Sequence, residues 1–571
     1  MKKIYLTLFS VAIFAFSSCS DFLDEKPTGM LPEEQLSEVQ LLEKNVISAY
    51  AMLGNDHYHT PFNLWPYGNV RSDDAYKGGR DESDIQAFHF YEISKNILPT
   101  FGEPDGLFFN TYIAISRINT AINALKATPA SKFPLKERRI GECRFLRGHF
   151  YFILKTMFKN VPYIDETVAT EDYGTISNVA LSNDEMWAKI AEDFQYAYDN
   201  LPETQYIGNP TDNKVEYGRV NKYAAAAYLA KVYLYKGFRQ DEKHNVTGVD
   251  AEDMKKVLEF TNFVIGSHYD LAPDFANNFL PGKGSYENGI ESIFAIQFSS
   301  SDGTNKGRLN FSDALNVPMN TSGACDFQKP SQNLVNAFKT KNGLPDFNSY
   351  NVADYNMGSD NADPRLFHTV AMPGLPYKYD ASNIFKNEHN RNPGVYGVFS
   401  SLKENVKVGD PSSILIDPFR ANTKNRIVLR YADVLLMRAE ALIELNRHAE
   451  ALPLINQVRQ RAQNSTALIS SYANNLNVAL YPNDATWTNA YARNALRWER
   501  RLEFAMEGSR FFDLVRWGVA DRVLNDFYEG EKGKRTYYKE AHFTKNKAEY
   551  IPIPQQQINF SKNVYKQNYN Y

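Results

Sequence analysis

Residues 497–518 read RWERRLEFAMEGSRFFDLVRWG, a stretch in which charged and apolar side chains alternate at helical spacing. Its charged residues recur at intervals of three and four, so pairs of opposite charge are expected along one helix face. Apolar residues between them would supply the buried face. The charged set is Arg500, Arg501, Glu503, Glu507, Arg510, Asp513 and Arg516; the apolar set is Leu502, Phe504, Phe512 and Trp517. We interpret the charged set as an architectural ion-pair network.

The carboxylates of this stretch are poor candidates for a catalytic acid and base. Glu507 and Asp513 lie among arginines. Neighbouring cations keep a carboxylate ionised, whereas a general acid needs a raised pKa. The chain also lacks HExxH, GxSxG and GxxxxGK[ST] motifs. The residues thus nominate no catalytic acid, base or nucleophile, and we predict no catalytic residues.

Two helical segments before this stretch resemble a tetratricopeptide repeat. Residues 428–445 and 448–463 flank a tight turn, and the small residues Ala439 and Ala451 lie where the two helices would approach closely. The match is partial because Pro453 is expected to interrupt the second helix. The alanine-rich residues 222–236 resemble another first helix of this kind. The pattern predicts stacked helical pairs as a scaffold.

Apolar periodicity predicts further helices on both sides of a loop-rich middle region. Residues 269–427 are dense in Asn, Gly, Pro, Asp and Ser, and residues 291–298 (ESIFAIQF) are a strand candidate within them. The stretch from His57 to about Gly106 is also loop-like. The predicted helices span residues 33–53, 107–126, 135–158, 184–200, 219–236, 251–266, 428–445, 448–463 and a region around 493–517. We expect a mainly α fold.

The N-terminus has the form of an export signal. Two lysines precede an apolar run at residues 4–16, which is too short for a comfortable membrane span but suits a secretory h-region. Cys19 follows small residues, as in a bacterial lipoprotein signal whose thiol is acylated. Phe16 departs from that pattern, and a plain secretory signal cut near Ser18 is the alternative. We predict a signal peptide at 1–18 and a lipidated tether at 19–32.

Composition narrows the function classes. The chain has 571 residues, of which 43% are apolar and 23% charged, with a formal net charge of −4. This balance argues against a nucleic-acid partner, which would gain nothing from counterion release. Cys143 and Cys325 could form one disulfide at most. Aromatic residues reach 14%, and tyrosine suits surfaces that contact both C–H faces and hydroxyls.

Residues 62–80 (FNLWPYGNVRSDDAYKGGR) form our main candidate for a ligand surface. Sugar recognition needs flat rings for the C–H face of a sugar and fixed polar groups for its hydroxyls, and this stretch holds both. Further aromatic-bearing loops lie at 101–102, 321–327 and 391–399. The alternative is that each loop aromatic pins its loop to the scaffold. The candidate glycan-binding residues are Trp65, Tyr67, Arg71, Asp73, Asp74, Tyr76, Phe101, Cys325, Phe327 and Tyr396.

Four stretches, together with the CSDFLDEKP start, resemble the SusD/RagB family of Bacteroidetes outer-membrane lipoproteins. They are GECRFLRGHFYFILKTMFKNVPYI at 141–164, YGRVNKYAAAAYLAKVYL at 217–234, the opening stretch at 497–518, and YIPIPQQQINFSKNVYKQNY at 550–569. The resemblance runs from Cys19 to the C-terminus in consistent order. It departs at 325–327, where the family often has a Trp and this chain has Cys325, Asp326 and Phe327.

The resemblance implies a function, a location and a partner. Such proteins are non-enzymatic glycan binders that sit at the cell surface, anchored to the outer membrane by the N-terminal lipid. Each delivers its oligosaccharide or polysaccharide ligand to a SusC-like TonB-dependent transporter. It also implies a SusD-like domain at 33–571, with a tetratricopeptide-like helical scaffold at roughly 33–268 and 428–517. The loop-rich ligand-binding region is expected at roughly 269–427.

Two alternatives remain open on the residues alone. A RagB-like member would bind peptides on the same scaffold, and a surface glycosidase would need two carboxylates facing each other across a cleft. No cofactor or metal is expected. An Asp-rich loop at 354–363 could hold a structural calcium through oxygens, but it lacks the EF-hand order.

Overall fold

The computed structural model describes residues 38–55, 57–207, 211, 214–300, 302–303 and 307–571. The predicted signal peptide at 1–18, the lipidation site Cys19 and the tether at 19–32 lie outside these residues. Among the described helices, none combines the length and the apolar character that a membrane crossing requires.

The fold is mainly α, as predicted. Helices begin at polar caps where the chain supplies them: the Ser182 side chain and Glu185 form a capping box at the start of one helix, and Asn221 caps the next. The helices are α1 Glu38–Ala51, α2 Gln86–Glu92, α3 Gly102–Ala127, α4 Lys136–Phe158, α5 Asn183–Asn200, α6 Lys222–Gly237, α7 Ala251–Ile265, α8 Gln332–Ala337, α9 Arg365–Thr369, α10 Pro393–Tyr396, α11 Tyr431–Glu444, α12 His448–Asn464, α13 Asn489–Phe504, α14 Arg510–Arg516, α15 Ala520–Lys532 and α16 Gln555–Phe560.

Successive helices pack as a tetratricopeptide-like scaffold. Each of α3 to α6 contacts the next helix along the chain, α7 contacts α11, and α11 packs on α12. Small residues permit this close approach: Ala439, Ala451 and the alanines at 224–227 are all buried. The expected interruption at Pro453 was wrong, since α12 runs through that proline from His448 to Asn464.

Short antiparallel strands pair two by two and hold the loop-rich middle region together. The strands are β1 Ala75–Gly78, β2 Phe238–Gln240, β3 Val246–Val249, β4 Ser292–Ile296, β5 Phe327–Pro330, β6 Thr340–Lys341, β7 Leu344–Pro345, β8 Val370–Ala371, β9 Pro376–Tyr377, β10 Asp380–Ile384, β11 Ser400–Ser401, β12 Ser413–Ile416, β13 Phe419–Asn422 and β14 Arg426–Arg430. The predicted strand at 291–298 is β4, which pairs with β14 directly before α11. This pair ties the middle region to the scaffold.

The opening stretch at 497–518 forms two helices rather than one. α13 ends at Phe504 and α14 begins at Arg510, because the intervening turn contains Met506 at φ 65°. The charged residues do form a buried ion-pair network, but their partners come mainly from distant parts of the chain. Within the stretch itself, the pair of Arg516 with Asp513 has the expected helical spacing.

The centre of this network is a buried cluster that we call the arginine core. It consists of Arg365, Arg430, Arg461, Glu291, Glu499 and Glu503. Arg430 donates to Glu291 at 2.8 Å and to Glu503 at 2.6 Å, and its guanidinium lies 4.3 Å from the centre of the Phe504 ring. Burial opposes ionisation of Glu503, but the three arginines outweigh it and hold its pKa well below the usual range.

Candidate functional site

Eight of the ten predicted glycan-binding residues are buried, with at most 2% of their surface exposed. They are Trp65, Tyr67, Arg71, Asp73, Asp74, Tyr76, Phe327 and Tyr396. A ring or carboxylate inside the protein cannot stack on a sugar or bind its hydroxyls in this conformation. Phe101 and Cys325 are partly exposed, but the ring of Phe101 stacks on Phe90, at 5.9 Å between ring centres.

The two aspartates of the predicted surface are held by arginines of the opening stretch. Asp73 receives two hydrogen bonds from Arg510, at 2.9 and 3.0 Å, and pairs with Arg501 at 3.0 Å. Burial opposes ionisation of Asp73, yet Arg501 and Arg510 together lower its pKa to about 2. Asp74 receives a hydrogen bond from Arg501 at 2.8 Å. In this structure both carboxylates are therefore buried against arginines instead of lying at a surface.

Residues 62–78 form a buried strap that connects distant parts of the chain. The Trp65 indole donates to the Ser312 carbonyl at 2.9 Å, and Arg71 donates to the Ala548 carbonyl at 2.6 Å. The Tyr76 hydroxyl donates to Glu531 at 3.0 Å. Turn-forming residues in this stretch suggested a surface loop, but the aromatics pin the strap to the scaffold. The alternative interpretation of these aromatics is the one that fits the structure.

A cavity of about 200 Å³ lies between this strap and the scaffold. Trp65 lines it together with His149, Tyr228, Lys403 and Glu404. Burial lowers the pKa of His149 to about 3 and raises that of Glu404 to about 7. Binding sites for ligands of drug-like size span about 300–1,000 Å³. The cavity is therefore too small for an oligosaccharide.

A set of exposed and partly exposed polar residues, which we call the loop surface, lies directly beyond the strap. It consists of Arg80, Asp81, Asp84, Arg391 and Asn392. Arg80 donates to Asp81 at 2.9 Å, and its backbone N–H donates to the Asp84 carboxylate at 2.9 Å. The Arg80 and Arg391 side chains are 65% and 32% exposed. These groups offer both donors and acceptors to solvent.

The loop surface consists of two loops, one at residues 79–84 and one at residues 391–392, and side-chain contacts join them. The Asn392 amide donates to the Arg80 carbonyl at 2.7 Å, and Arg391 pairs with Asp84 at 3.4 Å. Arg391 also reaches the Cys325 carbonyl at 3.5 Å. The half-buried Cys325 thereby adjoins the loop surface. Residues 79–84, 325 and 391–392 are thus brought together.

A buried lysine holds the loop at residues 79–84 in place from inside the protein. The Lys77 ammonium donates to the carbonyls of Asp81 at 2.6 Å and Asp84 at 2.5 Å. It also lies over the rings of Phe327 and Tyr396, at 5.4 and 5.6 Å from their centres. Burial lowers the pKa of Lys77 to about 8. Two predicted aromatics therefore support the loop from inside.

The turn after Lys77 requires glycine. Gly79 has φ +77°, and a Cβ at this position would lie 2.6 Å from the Phe327 ring. A side chain there would be strained by the backbone and would collide with that ring. The glycine therefore allows the loop to leave the buried strap and reach the surface within a few residues.

A buried ion pair between Lys329 and Asp326 holds the loop at residues 391–392. Lys329 donates to both oxygens of Asp326, at 2.6 and 2.8 Å, and to Asn390 at 2.5 Å. The backbone N–H of Arg391 donates to Asp326 at 2.8 Å. Asp326 therefore orients Arg391. It lies in the segment 325–327, where the resemblance leads us to expect a Trp. Both loops present their polar groups on rigid supports.

Sequence reasoning did not select the residues of the loop surface. Arg80 and Arg391 lie inside the predicted stretches at 62–80 and 391–399, next to the aromatic residues that form the prediction. The usable signal was turn chemistry, since Gly78, Gly79 and Pro393 bracket the exposed charges. Burial of the aromatics depends on distant contacts that no local pattern shows.

The chain matches two family models and is similar in sequence to several known proteins. Residues 290–571 match the family model described as "SusD family", and residues 21–234 match one described as "Starch-binding associating with outer membrane". "SusD-like protein P2" of Formosa agariphila is 24% identical, with both chains covered completely. A "SusD-like protein" of Bacteroides ovatus is also 24% identical, covering 94% of this chain and 86% of the relative.

Solved structures share the fold. A "Laminarin binding SusD-like protein" superposes with a TM-score of 0.66 and 23% identity, covering 93% of this chain and 99% of the other. "Surface glycan-binding protein A" of Bacteroides thetaiotaomicron, solved in complex with laminarihexaose, gives a TM-score of 0.65 at 20% identity, with coverages of 93% and 99%. At these identities the likeness establishes the architecture.

Proposed function

The chain belongs to the SusD/RagB family, and on that premise we propose that it captures oligosaccharides at the cell surface and delivers them to a SusC-like TonB-dependent transporter. The observation that carries the glycan-binding part is the loop surface, where two exposed guanidinium groups lie beside partly exposed carboxylate and amide groups that buried contacts hold in place. Sugar hydroxyls both donate and accept hydrogen bonds, so a mixed set of this kind matches them. Two glycan-binding proteins among the structural neighbours support the ligand class.

Binding without catalysis is the second part of the proposal. Hydrogen bonds from Ser83 and Arg80 lower the pKa of the exposed Asp81. A general acid in glycoside hydrolysis needs a carboxyl group whose pKa is raised. In this proposal the loop surface holds and orients a sugar, and Asp81 is unsuited to protonate a leaving glycosidic oxygen.

Anchoring through Cys19 is the third part. The family model for residues 21–234 carries a name that refers to the outer membrane, which supports an outer-membrane location. The acylated thiol would tether the protein at the cell surface while it moves against its transporter. Cys19→Ala should abolish recovery in the membrane fraction and leave glycan binding by the purified protein unchanged. A variant that stays in the membrane fraction would exclude lipid anchoring at this residue.

A peptide ligand is a second candidate, favoured by the two exposed guanidinium groups. Arg80 and Arg391 could each bind a carboxylate in a bidentate manner, as peptide termini and acidic side chains require. Calorimetry against a panel of neutral oligosaccharides and a pool of peptides separates the two ligand classes. We expect heat of binding with one class of oligosaccharide and none with the peptides.

The test for the whole proposal combines binding with product analysis. The purified protein is titrated with each oligosaccharide of the panel, and the bound ligand is then incubated for a long period and examined for new reducing ends. We expect saturable binding to one ligand class with no product. Product formation would show a glycosidase, and binding of peptides alone would favour the RagB-like alternative.

A further inference from the structure

A second surface region has the features of a sugar site and shares no residue with the loop surface. Two adjoining depressions of about 380 and 330 Å³ meet at residues 216–219. Their sizes fall within the usual range for small-molecule sites, about 300–1,000 Å³. We call this pair of depressions the Tyr217 groove.

Tyr217 is the most prominent feature of the groove. Its side chain lines both depressions, and 62% of its surface is exposed. An exposed tyrosine ring between two depressions offers both of its neighbours an aromatic face. Flat aromatic rings of this kind are what the C–H face of a sugar stacks on, while the phenol group remains available to hydroxyls.

The turn that carries Tyr217 is rigid. Arg219 donates to Glu216 at 2.7 Å and to the buried Glu142 at 2.7 Å, so it clamps the turn to the scaffold. Gly218 adopts φ +93°, and a Cβ there would lie 2.7 Å from the Gln297 side chain. Tyr217 is therefore presented by a fixed backbone, which reduces the entropy lost when a ligand binds.

The walls of the first depression are aromatic and amide groups. The rings of His268 and Tyr269 are tilted by 31° with 4.3 Å between their centres, and the Tyr269 hydroxyl accepts a hydrogen bond from the Asn221 amide at 3.2 Å. Asn288 and Gln297 exchange two amide hydrogen bonds, at 3.0 and 2.9 Å. Gln297 also donates to the Ala295 carbonyl and accepts from the Asn425 amide, so its own hydrogen-bonding positions are filled and it serves to orient Asn288. Asn288 keeps one N–H and one acceptor position for a ligand.

The charge of the groove selects the ligand class. Glu216 is paired with Arg219, which also pairs with Glu142 and Glu43, and Arg138 and Arg139 bring two further positive charges to Glu142 and Glu43. Because these charges neutralise one another behind the groove, its surface recognises a ligand through rings, phenols and amides. Arg308 adds a positive charge to the second depression, where it donates to the Gly54 carbonyl. The first depression holds the rings and amides, and there a neutral sugar finds both stacking and hydrogen-bond partners.

We propose that the Tyr217 groove is a second binding site for a neutral oligosaccharide, with Tyr217 as its stacking platform. The proposal rests on the proposed glycan-binding function, since the groove would hold another part of the same polysaccharide or a second chain. Two sites on one protein raise the apparent affinity for a polymer more than for a short oligosaccharide.

Affinity electrophoresis tests the groove in native gels that each contain one neutral polysaccharide: laminarin, starch, xylan or mannan. The variants are Tyr217→Ala, Tyr217→Phe, Arg391→Ala and Tyr569→Ala, the last a control because Tyr569 is 40% exposed and lies outside the groove. In the gel that retards the wild type, we expect Tyr217→Ala to bind about three- to tenfold more weakly. Tyr217→Phe keeps the ring and should bind within about twofold of the wild type.

The outcomes separate the two sites. If Tyr217→Ala is retarded as strongly as Tyr569→Ala, the groove is not a binding site. If only Arg391→Ala loses retardation, the loop surface is the glycan site. Loss in Tyr217→Ala with none in Arg391→Ala supports the groove and removes the loop surface. A wild type that no gel retards overturns both sites for this ligand class.

Discussion

The arginine core and the loop surface consist of the same kinds of side chain in opposite surroundings. In the arginine core, Arg430 and Glu503 are 2% and 0% exposed, and each contacts several partners of opposite charge. In the loop surface, the Arg80 side chain is 65% exposed and has Asp81 as its ion-pair partner. Removing one partner of a buried pair leaves an uncompensated charge, whereas an exposed pair contributes little to stability. Burial therefore separates structural charges from those available to a ligand.

The largest expected effect is that of Glu503→Gln. Glu503 contacts Arg365, Arg430 and Arg461, and the loss of its charge leaves three buried guanidinium groups undercompensated. We expect the free energy of unfolding to fall by about 3–5 kcal/mol, measured by denaturant titration. The control is Glu529→Gln, whose side chain is 70% exposed in a pair with Lys532 and which should change stability by about 0.5 kcal/mol or less. An equal fall in the free energy of unfolding in both variants would contradict the distinction between buried and exposed charges.

Asp73→Asn should have the next largest effect on stability. The variant keeps the shape of the side chain but removes the charge that pairs with Arg501 and Arg510. We expect the free energy of unfolding to fall by about 1–3 kcal/mol while the folded protein retains its glycan affinity. Loss of binding without loss of stability would restore the buried strap as a ligand surface.

The same variant gives a pH dependence. The pKa of Asp73 is about 2 in the folded protein and about 3.9 in an unfolded chain. The stabilisation is therefore fully present above the unfolded pKa and is lost as the pH falls towards the folded pKa. The stability difference between wild type and Asp73→Asn should shrink from about pH 5 towards pH 2. A difference that stays constant over this range would contradict the ionised pair.

Lys77→Met tests whether a buried charge determines the position of the loop surface. Lys77 is buried like the arginine core, but it supports the exposed loop through the carbonyls of Asp81 and Asp84. We expect a fall of about 1–2 kcal/mol in the free energy of unfolding, together with weaker glycan binding. Measurement well below the melting temperature separates the two effects. Unchanged affinity would show that the position of the loop does not matter for the ligand.

Arg80→Ala and Arg391→Ala should have the smallest effects on stability. Both residues are exposed, so the free energy of unfolding should change by about 0.5 kcal/mol or less. Their expected effect is on the ligand, because a hydrogen bond from a charged group contributes about 1.5–3 kcal/mol. Thermal unfolding checks the first expectation and calorimetry the second.

The sequence predicted the scaffold well because helices have local signals. Periodicity located α3 to α7, α11 and α12, and it located β4 inside the loop-rich region. The break between α13 and α14 was missed because it depends on a positive φ at Met506, a residue type that rarely adopts that conformation. The helix Ala520–Lys532 was also not predicted.

The candidate site was predicted less well, for a physical reason. Trp65, Tyr76 and Asp73 were chosen for their chemistry, but their burial depends on Ser312, Glu531 and Arg510, all more than two hundred residues away in sequence. Local composition cannot show such contacts. Turn residues do mark exposure, since Gly79 directly precedes Arg80 and Pro393 follows Arg391 by two residues.

The most direct test of the account is a comparison of glycan affinity between Arg391→Ala and Asp73→Asn. Both proteins are titrated by calorimetry with the oligosaccharide that the wild type binds, at a temperature where both are folded. We predict that Arg391→Ala binds about tenfold more weakly, while Asp73→Asn binds within about twofold of the wild type. Wild-type affinity in Arg391→Ala combined with a large loss in Asp73→Asn would contradict the claim that exposed loop charges, rather than the buried strap, hold the ligand.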